Sequence, residues 1–252
     1  MDEERERYVK VRSNCDYYVS KVTISADPIL NAKDCIVLVM YKGFCRLAFI
    51  RISKDKSWTY TDERYCQPVQ DVIYSGDKFY AVSTRGELLS FDITPESYSD
   101  VKLAARRIRP VEMSYQKFYI VHSNEKDLLM DQRYMSFELE PQSRRTTKVL
   151  VFRFDFDKSK WIKKLGDVSL FMGDNSSESV LASSNSGCLP NCIYFTHDYD
   201  SVFSYQGVPH GDFGVYNHEY QSFIPIDTTH VATLVRNTGR GRPIWVIPTL
   251  KL

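Results

Sequence analysis

Hydrophobic and polar residues alternate along this chain in short runs separated by turn-forming residues, a pattern typical of β-strands. It is clearest between Asp71 and Ile93, where two polar turns join three apolar runs. The runs are residues 72–74, 79–82 and 88–93, and the turns are 75–77 and 84–86. Glycine, aspartate and serine favour tight turns. This stretch therefore predicts three antiparallel strands, closed by an outer strand at 101–108.

The strand pattern repeats along the chain. Residues 78–82 read Lys-Phe-Tyr-Ala-Val, and Lys-Phe-Tyr-Ile-Val follows at 117–121, 39 residues later. A related Cys-Ile-Tyr-Phe-Thr stands at 192–196, a further 75 residues on. A repeat of about 40 residues with several strands in each period is typical of propeller blades. We therefore predict an all-β protein, a partial or small β-propeller with about four blades of antiparallel strands.

The remaining apolar runs supply the other blades. The first blade is predicted at 35–41, 46–52 and 58–60, after a strand-like segment at 17–24. The fourth is predicted at 168–172, 179–182, 191–196, 213–217 and 223–226, with a last strand at 243–248. We expect residues 1–16 to be a flexible, charged lead and residues 17–252 to form the propeller domain.

Two polar stretches interrupt the strand pattern and are candidates for binding loops. After the strand at 117–122, residues 123–148 are polar enough to predict an insertion, with strands resuming at residue 149. Such loops often carry function, which makes Arg144 and Arg145 candidate protein contacts. A second polar and aromatic stretch runs from 198 to 210, and its candidate contacts are Asp198, Tyr199, Asp200 and His210. The alternative for both is ordinary loop variability.

Charge and hydropathy narrow the class of partner. The 252 residues contain 33 Lys and Arg against 32 Asp and Glu, a net charge of +1, so no overall field attracts nucleic acid or anionic membrane. The longest apolar run, 35–41, is too short to span a bilayer. The charged start has no apolar core of a signal peptide. We expect a soluble protein of the cytoplasm, the nucleus or both, with reduced cysteines.

No group of residues predicts a catalytic centre, a cofactor or a metal. Cys188 and Cys192, with His197 or His210 nearby, could suggest zinc, but their spacing is atypical of a zinc knuckle and no second ligand pair follows. Neither a phosphate-binding loop nor a nucleophile elbow is present. We therefore expect no catalytic residue, no cofactor and no metal ligand.

One short motif points to DNA. Residues 239–243 contain the Arg-Gly-Arg-Pro core of an AT-hook, in which Arg240 and Arg242 would lie in an A/T-rich minor groove. The alternative is an exposed loop that leads into the last strand. Because the wider charge is neutral and a single hook binds weakly, we do not expect nucleic acid to be the main partner.

Several spaced segments resemble the plant KIB-type β-propeller domain, which commonly follows an F-box. The segments are residues 71–93, 170–177 (LFMGDNSS), 187–200 (GCLPNCIYFTHDYD), 212–217 (DFGVYN) and 243–250 (PIWVIPTL). The resemblance covers roughly residues 17–250 and implies a kelch-like propeller. It also implies a role like that of substrate receptors in Skp1-cullin-F-box ubiquitin ligases, or of propellers that bind a kinase.

The sequence departs from this family at its start. An F-box of about 45 residues, three to four helices of ordinary length, has no room before the strand-like sequence that begins at Tyr17. We therefore expect no Skp1 binding. The predicted function is non-enzymatic recognition of a protein, such as a kinase or other regulatory protein, through loops on one rim and without assembly of a ubiquitin ligase.

Two other functions stay open from the residues alone. One is a propeller enzyme, a hydrolase or a sugar-binding enzyme, whose carboxylates converge on the central channel. Several acidic or histidine side chains in one pocket with shifted pKa values would favour it. The other is association with A/T-rich DNA through residues 239–243.

Overall fold

The computed structural model describes residues 19–41, 46–61, 68–94, 101–108, 115–123, 127–139, 142–158, 160–162, 165, 167–174, 176–184, 187–196, 212–226 and 245. These residues form seventeen β-strands in four sheets and one short 3-10 helix, Ala182–Ser184. No helix within these ranges is long and apolar enough to cross a membrane. The all-β prediction is confirmed.

The first two sheets each have four antiparallel strands in chain order. The first contains β1 (Val19–Ile24), β2 (Ile36–Tyr41), β3 (Arg46–Arg51) and β4 (Thr59–Tyr60). The second contains β5 (Val69–Ser75), β6 (Lys78–Ser83), β7 (Leu88–Phe91) and β8 (Lys102–Ala105). The second sheet is the predicted meander with its outer strand, and the first gains its innermost strand from the segment before residue 25.

The third sheet differs from the prediction. Its strands are β9 (Tyr115–His122), β10 (Leu128–Leu139), β11 (Gln142–Asp155) and β12 (Lys160–Ile162), all antiparallel. The polar insertion predicted at 123–148 is wrong, because β10 and the first part of β11 run through it. Polarity was misleading there because several of its polar side chains are buried, so polar residues occupy core positions in these two strands.

The fourth sheet has five strands and one parallel pair. It is built from β13 (Val168–Met172), β14 (Glu178–Leu181), β15 (Cys192–Phe195), β16 (Gly214–Asn217) and β17 (Ser222–Ile224). The order is β14-β13-β15-β16-β17, and β13 pairs with β15 in parallel, whereas only antiparallel strands were predicted. The last predicted strand, 243–248, lies outside the described residues except for Trp245, whose indole Nε1 donates to the Met172 carbonyl.

The sheets pack face to face in chain order. One apolar cluster joins the first sheet to the second, another the second to the third, and a third the third to the fourth. In β6, Phe79 and Ala81 face the first sheet while Tyr80 and Val82 face the third. Because both faces of the strand are buried, its sequence reads as a continuous apolar run, and each large apolar side chain contributes about 1.5–3 kcal/mol.

The sheets also meet along one strand each. β1 contacts β5, β5 contacts β9, and β9 contacts β14. Sheets stacked in this way around adjoining inner strands are arranged as successive blades of a β-propeller. Each sheet is therefore held on its faces by apolar packing, and its inner strand is free to make polar contacts with the next sheet.

Candidate functional site

A long hairpin of the third sheet, formed by β10 and β11, continues past the described end of β9. The first described residue of β9, Tyr115, pairs with Met135 of β10, so among the described residues the last four of β10 pair with β11 alone. We call residues 136–145 the arm. Since a strand rises about 3.3 Å per residue, four pairs carry the hairpin about 13 Å past the end of β9.

The arm contains two of the residues that the sequence singled out. Arg144 pairs with Phe137 and Arg145 pairs with Ser136, and Arg145 is exposed. The two arginines were predicted to lie in an irregular loop, and they belong instead to a regular hairpin. Their backbone positions are therefore set by the strand ladder.

A buried arginine lies at the base of the arm. Arg133 of β10 is completely buried, and its guanidinium is surrounded by hydrogen-bond acceptors from the third and fourth sheets. Its Nε donates to Thr146 Oγ1 (2.7 Å), and its Nη1 donates to Tyr119 Oη (3.3 Å) and to the Thr196 carbonyl (3.0 Å). The guanidinium carbon also lies 4.6 Å from the centre of the Phe195 ring, a cation–π contact.

Asp212 completes this group as its counter-charge. Its Oδ2 accepts from Arg133 Nη2 at 2.7 Å and from Thr146 Oγ1 at 2.8 Å. Its Oδ1 accepts from the backbone N–H of Thr146 at 3.0 Å, and its own carbonyl accepts a second bond from Nη2. We call Tyr119, Arg133, Thr146, Thr196 and Asp212 the arginine clamp. All of the carboxylate's oxygens have partners, as a buried ion pair requires.

The clamp joins the arm to the ends of another segment. Thr196 and Asp212 are the described residues that flank residues 197–211, and Arg133 bonds to both. The two stretches proposed separately from the sequence therefore begin at the same place, the base of the arm. Asp198, Tyr199, Asp200 and His210 themselves lie outside the described residues.

A second polar junction connects the inner strands of the first three sheets. Asp71 of β5 is buried, forms an ion pair with Lys21 of β1, and accepts a hydrogen bond from the Ile120 backbone N–H of β9 at 2.9 Å. Next to it, Gln70 Oε1 accepts from the Phe118 N–H at 2.6 Å. One carboxylate thus ties three consecutive sheets together, because its oxygens serve both neighbours.

A nearby carboxyl is buried without any such partner. Asp131 lies two residues before Arg133 in β10, and within the described part of the chain neither of its buried oxygens has a hydrogen-bond partner. Burial raises the pKa of Asp131 well above the usual carboxyl value of 3.8, and the charge of Asp71 raises it further. Because both oxygens are sealed from solvent, this carboxyl cannot reach a substrate despite its shifted pKa.

The remaining candidate chemistry has little support in the described residues. Within them, no three His, Cys, Asp or Glu side chains are grouped as metal ligands. Cys192 is buried, with its Sγ next to Asn217 Nδ2 (3.7 Å), and burial raises the pKa of its thiol. Its proposed zinc partners His197 and His210, and the AT-hook residues Arg240 and Arg242, lie outside the described ranges.

Sequence reasoning missed the clamp and the buried Asp131. The available signal was a short polar stretch with two charges, residues 131–133, with apolar residues on both sides. Such a stretch fits an insertion as well as a buried network, so the pattern alone could not decide. Asp212 was in a segment that carried the family resemblance, but nothing in the sequence paired it with Arg133, 79 residues away.

Comparison with known proteins gives a consistent result. The family model described as the KIB1-4 beta-propeller matches residues 5–217. Three similar Arabidopsis thaliana proteins are named as F-box proteins. At5g60060 is 21% identical over 76% of this chain and 50% of its own length, and At1g65740 is 42% identical over 23% and 16%. At3g25750 is 42% identical over 21% of this chain and 15% of its own. The matched part of the chain thus spans at most half of these relatives.

Proposed function

Because the chain belongs to the KIB1-4 β-propeller family, we propose that it is a non-catalytic module that binds a protein through the rim carrying the arm. The family is typically found behind an F-box in plant F-box proteins. In such proteins the part beside the F-box is the natural place for recognition of a substrate. The partner of this chain is, in this proposal, a kinase or another regulatory protein, and its binding requires no Skp1.

The observation that carries the proposal is the arm held by the arginine clamp. A hairpin that continues about 13 Å past the described end of β9 can present an ordered strand surface to a partner. Its base is rigid, since Arg133 is bonded to Thr146, at the start of the returning strand, and to Asp212 of the next sheet. A pre-organised surface binds with less loss of entropy than a loop that must be ordered.

The burial of Asp131, the carboxyl whose pKa is strongly raised, favours a binding function over a catalytic one. The enzyme alternative required several titratable side chains that face one pocket with shifted pKa values. Asp131 has a strongly raised pKa, but its oxygens are sealed from solvent, and the neighbouring Asp71 is occupied by Lys21 and the Ile120 N–H. Both carboxyls act between strands, where they are inaccessible to a substrate.

Affinity capture from a plant extract, read by quantitative mass spectrometry, tests the proposal. The bait is the full chain, compared with an R144Q/R145Q variant that removes the two charges of the arm. The matched control is K56Q/K158Q, which removes two charges from exposed lysines away from the arm, one of them beyond the far end of β11. A specific protein should be captured by the full chain and the control and be reduced several-fold with R144Q/R145Q.

Three results would count against this function. If R144Q/R145Q recovered every protein as well as the full chain does, the charges of the arm would not contribute to the interface. Capture of chaperones alone would contradict specific recognition. Recovery of Skp1 and cullin in proportion to the bait would contradict a partner that binds without the F-box machinery.

A further inference from the structure

The loop between β1 and β2 exposes two neighbouring aliphatic side chains. Ile29 is 89% exposed and Leu30 is 79% exposed, which makes them the two most exposed large hydrophobic residues in the described part of the chain. Pro28 is exposed as well, so three consecutive apolar residues face solvent. Single apolar residues on a surface are ordinary, but contiguous ones often mark a site of interaction. We call residues 27–31 the apolar turn.

Hydrogen bonds from one aspartate order the apolar turn. Asp27 Oδ1 accepts from the backbone N–H groups of Ile29 at 2.7 Å and of Leu30 at 3.0 Å. The Asp27 carbonyl also accepts from the Asn31 N–H at 2.8 Å. Aspartate commonly bonds to the backbone two and three residues further on in turns, and the ring of Pro28 restricts the backbone before the pair. The backbone of both aliphatic residues is therefore fixed.

Bonds to the rest of the first sheet hold this loop at its base. Ser25 Oγ donates to the Asp34 carbonyl at 3.0 Å and accepts from the Ile36 N–H at 2.9 Å. From the connection between β3 and β4, Ser53 Oγ donates to the Lys33 carbonyl at 3.0 Å. The loop is thus attached on both sides of the apolar turn. A partner would meet a surface that loses little entropy on binding.

The charges beside the apolar turn indicate which kind of partner it fits. Asp27 and Asp34 are exposed, and Lys33 is the only basic residue between β1 and β2. The bonds from the Leu30 and Ile29 N–H groups lower the pKa of Asp27, so its carboxylate stays charged near neutral pH. Loops that enter an anionic membrane carry basic residues beside their apolar ones. This acidic surrounding instead fits an apolar pocket in a protein, with basic groups at its rim.

We propose that the apolar turn inserts Ile29 and Leu30 into an apolar pocket of a partner protein. This goes beyond the proposed function, because it assigns a second contact surface with different chemistry. The turn belongs to the first sheet and binds by burial of apolar area, whereas the arm belongs to the third sheet and carries charge. Two aliphatic side chains held side by side leave water together when they bind. Asp27 keeps the turn in the shape that presents them.

Photo-crosslinking from the apolar turn identifies the protein that contacts it. The full chain is prepared with the photoreactive residue benzoylphenylalanine in place of Ile29. The matched control carries it in place of Leu103 of β8, a hydrophobic residue that is 52% exposed in another sheet. Both are illuminated in a plant extract. A protein that crosslinks from position 29 and not from position 103 is identified by mass spectrometry and produced in pure form.

Calorimetry with this purified protein tests the chemistry of the contact. I29S/L30S should weaken binding at least about tenfold, by the same factor in low and high sodium chloride, because an apolar contact is not screened. It should unfold at the wild-type urea concentration, since both side chains are exposed. D27A keeps both side chains but frees the turn, and should weaken binding about threefold. L103S should stay within about twofold of the wild type.

Three results would overturn the inference. One is that no protein crosslinks from position 29 alone, and another is equal affinity of the wild type and I29S/L30S. The third is binding to vesicles of phosphatidylcholine and phosphatidylserine that I29S/L30S abolishes, which would assign the turn to a lipid surface. The proposed function fails separately. A protein whose capture depends on Arg144 and Arg145, but not on Ile29 and Leu30, would support the arm and reject only the apolar turn.

Discussion

Arg133 and Asp131 lie two residues apart on β10, and both are completely buried, yet their surroundings differ in every respect. Arg133 makes hydrogen bonds through all three of its guanidinium nitrogens and has Asp212 as its counter-charge. Asp131 has neither a hydrogen bond nor a counter-charge within the described residues, and the charge that further raises its pKa, that of Asp71, is of the same sign. The strand thus carries a satisfied and an unsatisfied charge on the same face.

This difference shows what a buried charge does in the propeller. At Arg133, burial is offset by bonds that join the third sheet to the fourth, so the charge acts as a connection between blades. At Asp131, burial opposes ionisation, so the carboxyl takes up a proton more readily. The cost of burying a charge is therefore offset by hydrogen bonds between sheets at Arg133, whereas at Asp131 it makes the stability of the fold depend on pH.

The largest expected effect is the loss of the clamp. R133M replaces the guanidinium by an apolar side chain of similar length and leaves Asp212 buried without its counter-charge. This substitution should lower the free energy of unfolding by about 3–5 kcal/mol. Urea unfolding measures the change. The matched control is R153M, since Arg153 pairs with Asp127 at 2.8 Å but is 31% exposed, and it should lose no more than about 1 kcal/mol.

The double variant R133M/D212L sharpens that test. It leaves neither charge unpaired, so its loss of stability should be smaller than the sum of the losses of the two single variants. Equal losses for R133M and R153M, or strict additivity in the double variant, would mean that the buried pair is no more important than an ordinary surface pair.

A smaller loss is expected for the partnered carboxylate next to Asp131. D71N removes the counter-charge of Lys21 and weakens the bond to the Ile120 N–H, and should lower stability by about 1.5–3 kcal/mol. It should also lower the pKa of Asp131, since one cause of the raised value is the charge of Asp71. The pKa is measured by the carboxyl carbon shift of Asp131 in an NMR titration. An unchanged pKa of Asp131 in D71N would show that the charge of Asp71 does not affect Asp131.

Substitution of Asp131, unlike the substitutions above, is expected to raise the stability of the protein near neutral pH. Because its folded-state pKa is raised above 3.8, the folded protein keeps a proton that the unfolded chain has already released. Stability should therefore fall as the pH rises from about 4 through the folded-state pKa, with the slope that linkage requires. D131N cannot ionise, so it should lack this fall and be more stable near neutral pH by about 1–2 kcal/mol.

Unfolding of wild type and D131N at a series of pH values provides the measurement. The two curves should meet at low pH, where Asp131 is protonated in both the folded and the unfolded protein, and separate as the pH rises. Parallel curves, or a less stable D131N at neutral pH, would show that Asp131 has a favourable partner in solution.

The smallest loss of stability is expected when a single hydrogen bond of the clamp is removed. Y119F removes the hydroxyl that accepts from Arg133 Nη1 at 3.3 Å, while Nη1 keeps its shorter bond to the Thr196 carbonyl. The loss should be about 0.5–1 kcal/mol by urea unfolding. A loss as large as that of R133M would mean that the clamp depends on every one of its bonds.

The contrast between β6 and β10 explains which strands could be predicted from the hydrophobic pattern of the sequence. In β6 the buried residues from Phe79 to Val82 are all apolar, so they identified the strand. In β10 the buried positions include Asp131, Gln132 and Arg133, and the usual link between polarity and exposure fails. The arm, with Arg144 and Arg145, was therefore assigned to a loop although its residues were correctly chosen as candidates.

Local pattern was sufficient for most of the strands and for the order of the sheets, because alternation and turn chemistry depend on residues close in the chain. The family was identified from the spaced segments that resemble it. The clamp and the parallel pairing of β13 with β15 were decided by the tertiary structure alone. Each brings together residues far apart in sequence, as Arg133 and Asp212 are, and no local pattern records which distant groups will share a buried space. The charge partners in this protein are consequences of how the sheets stack.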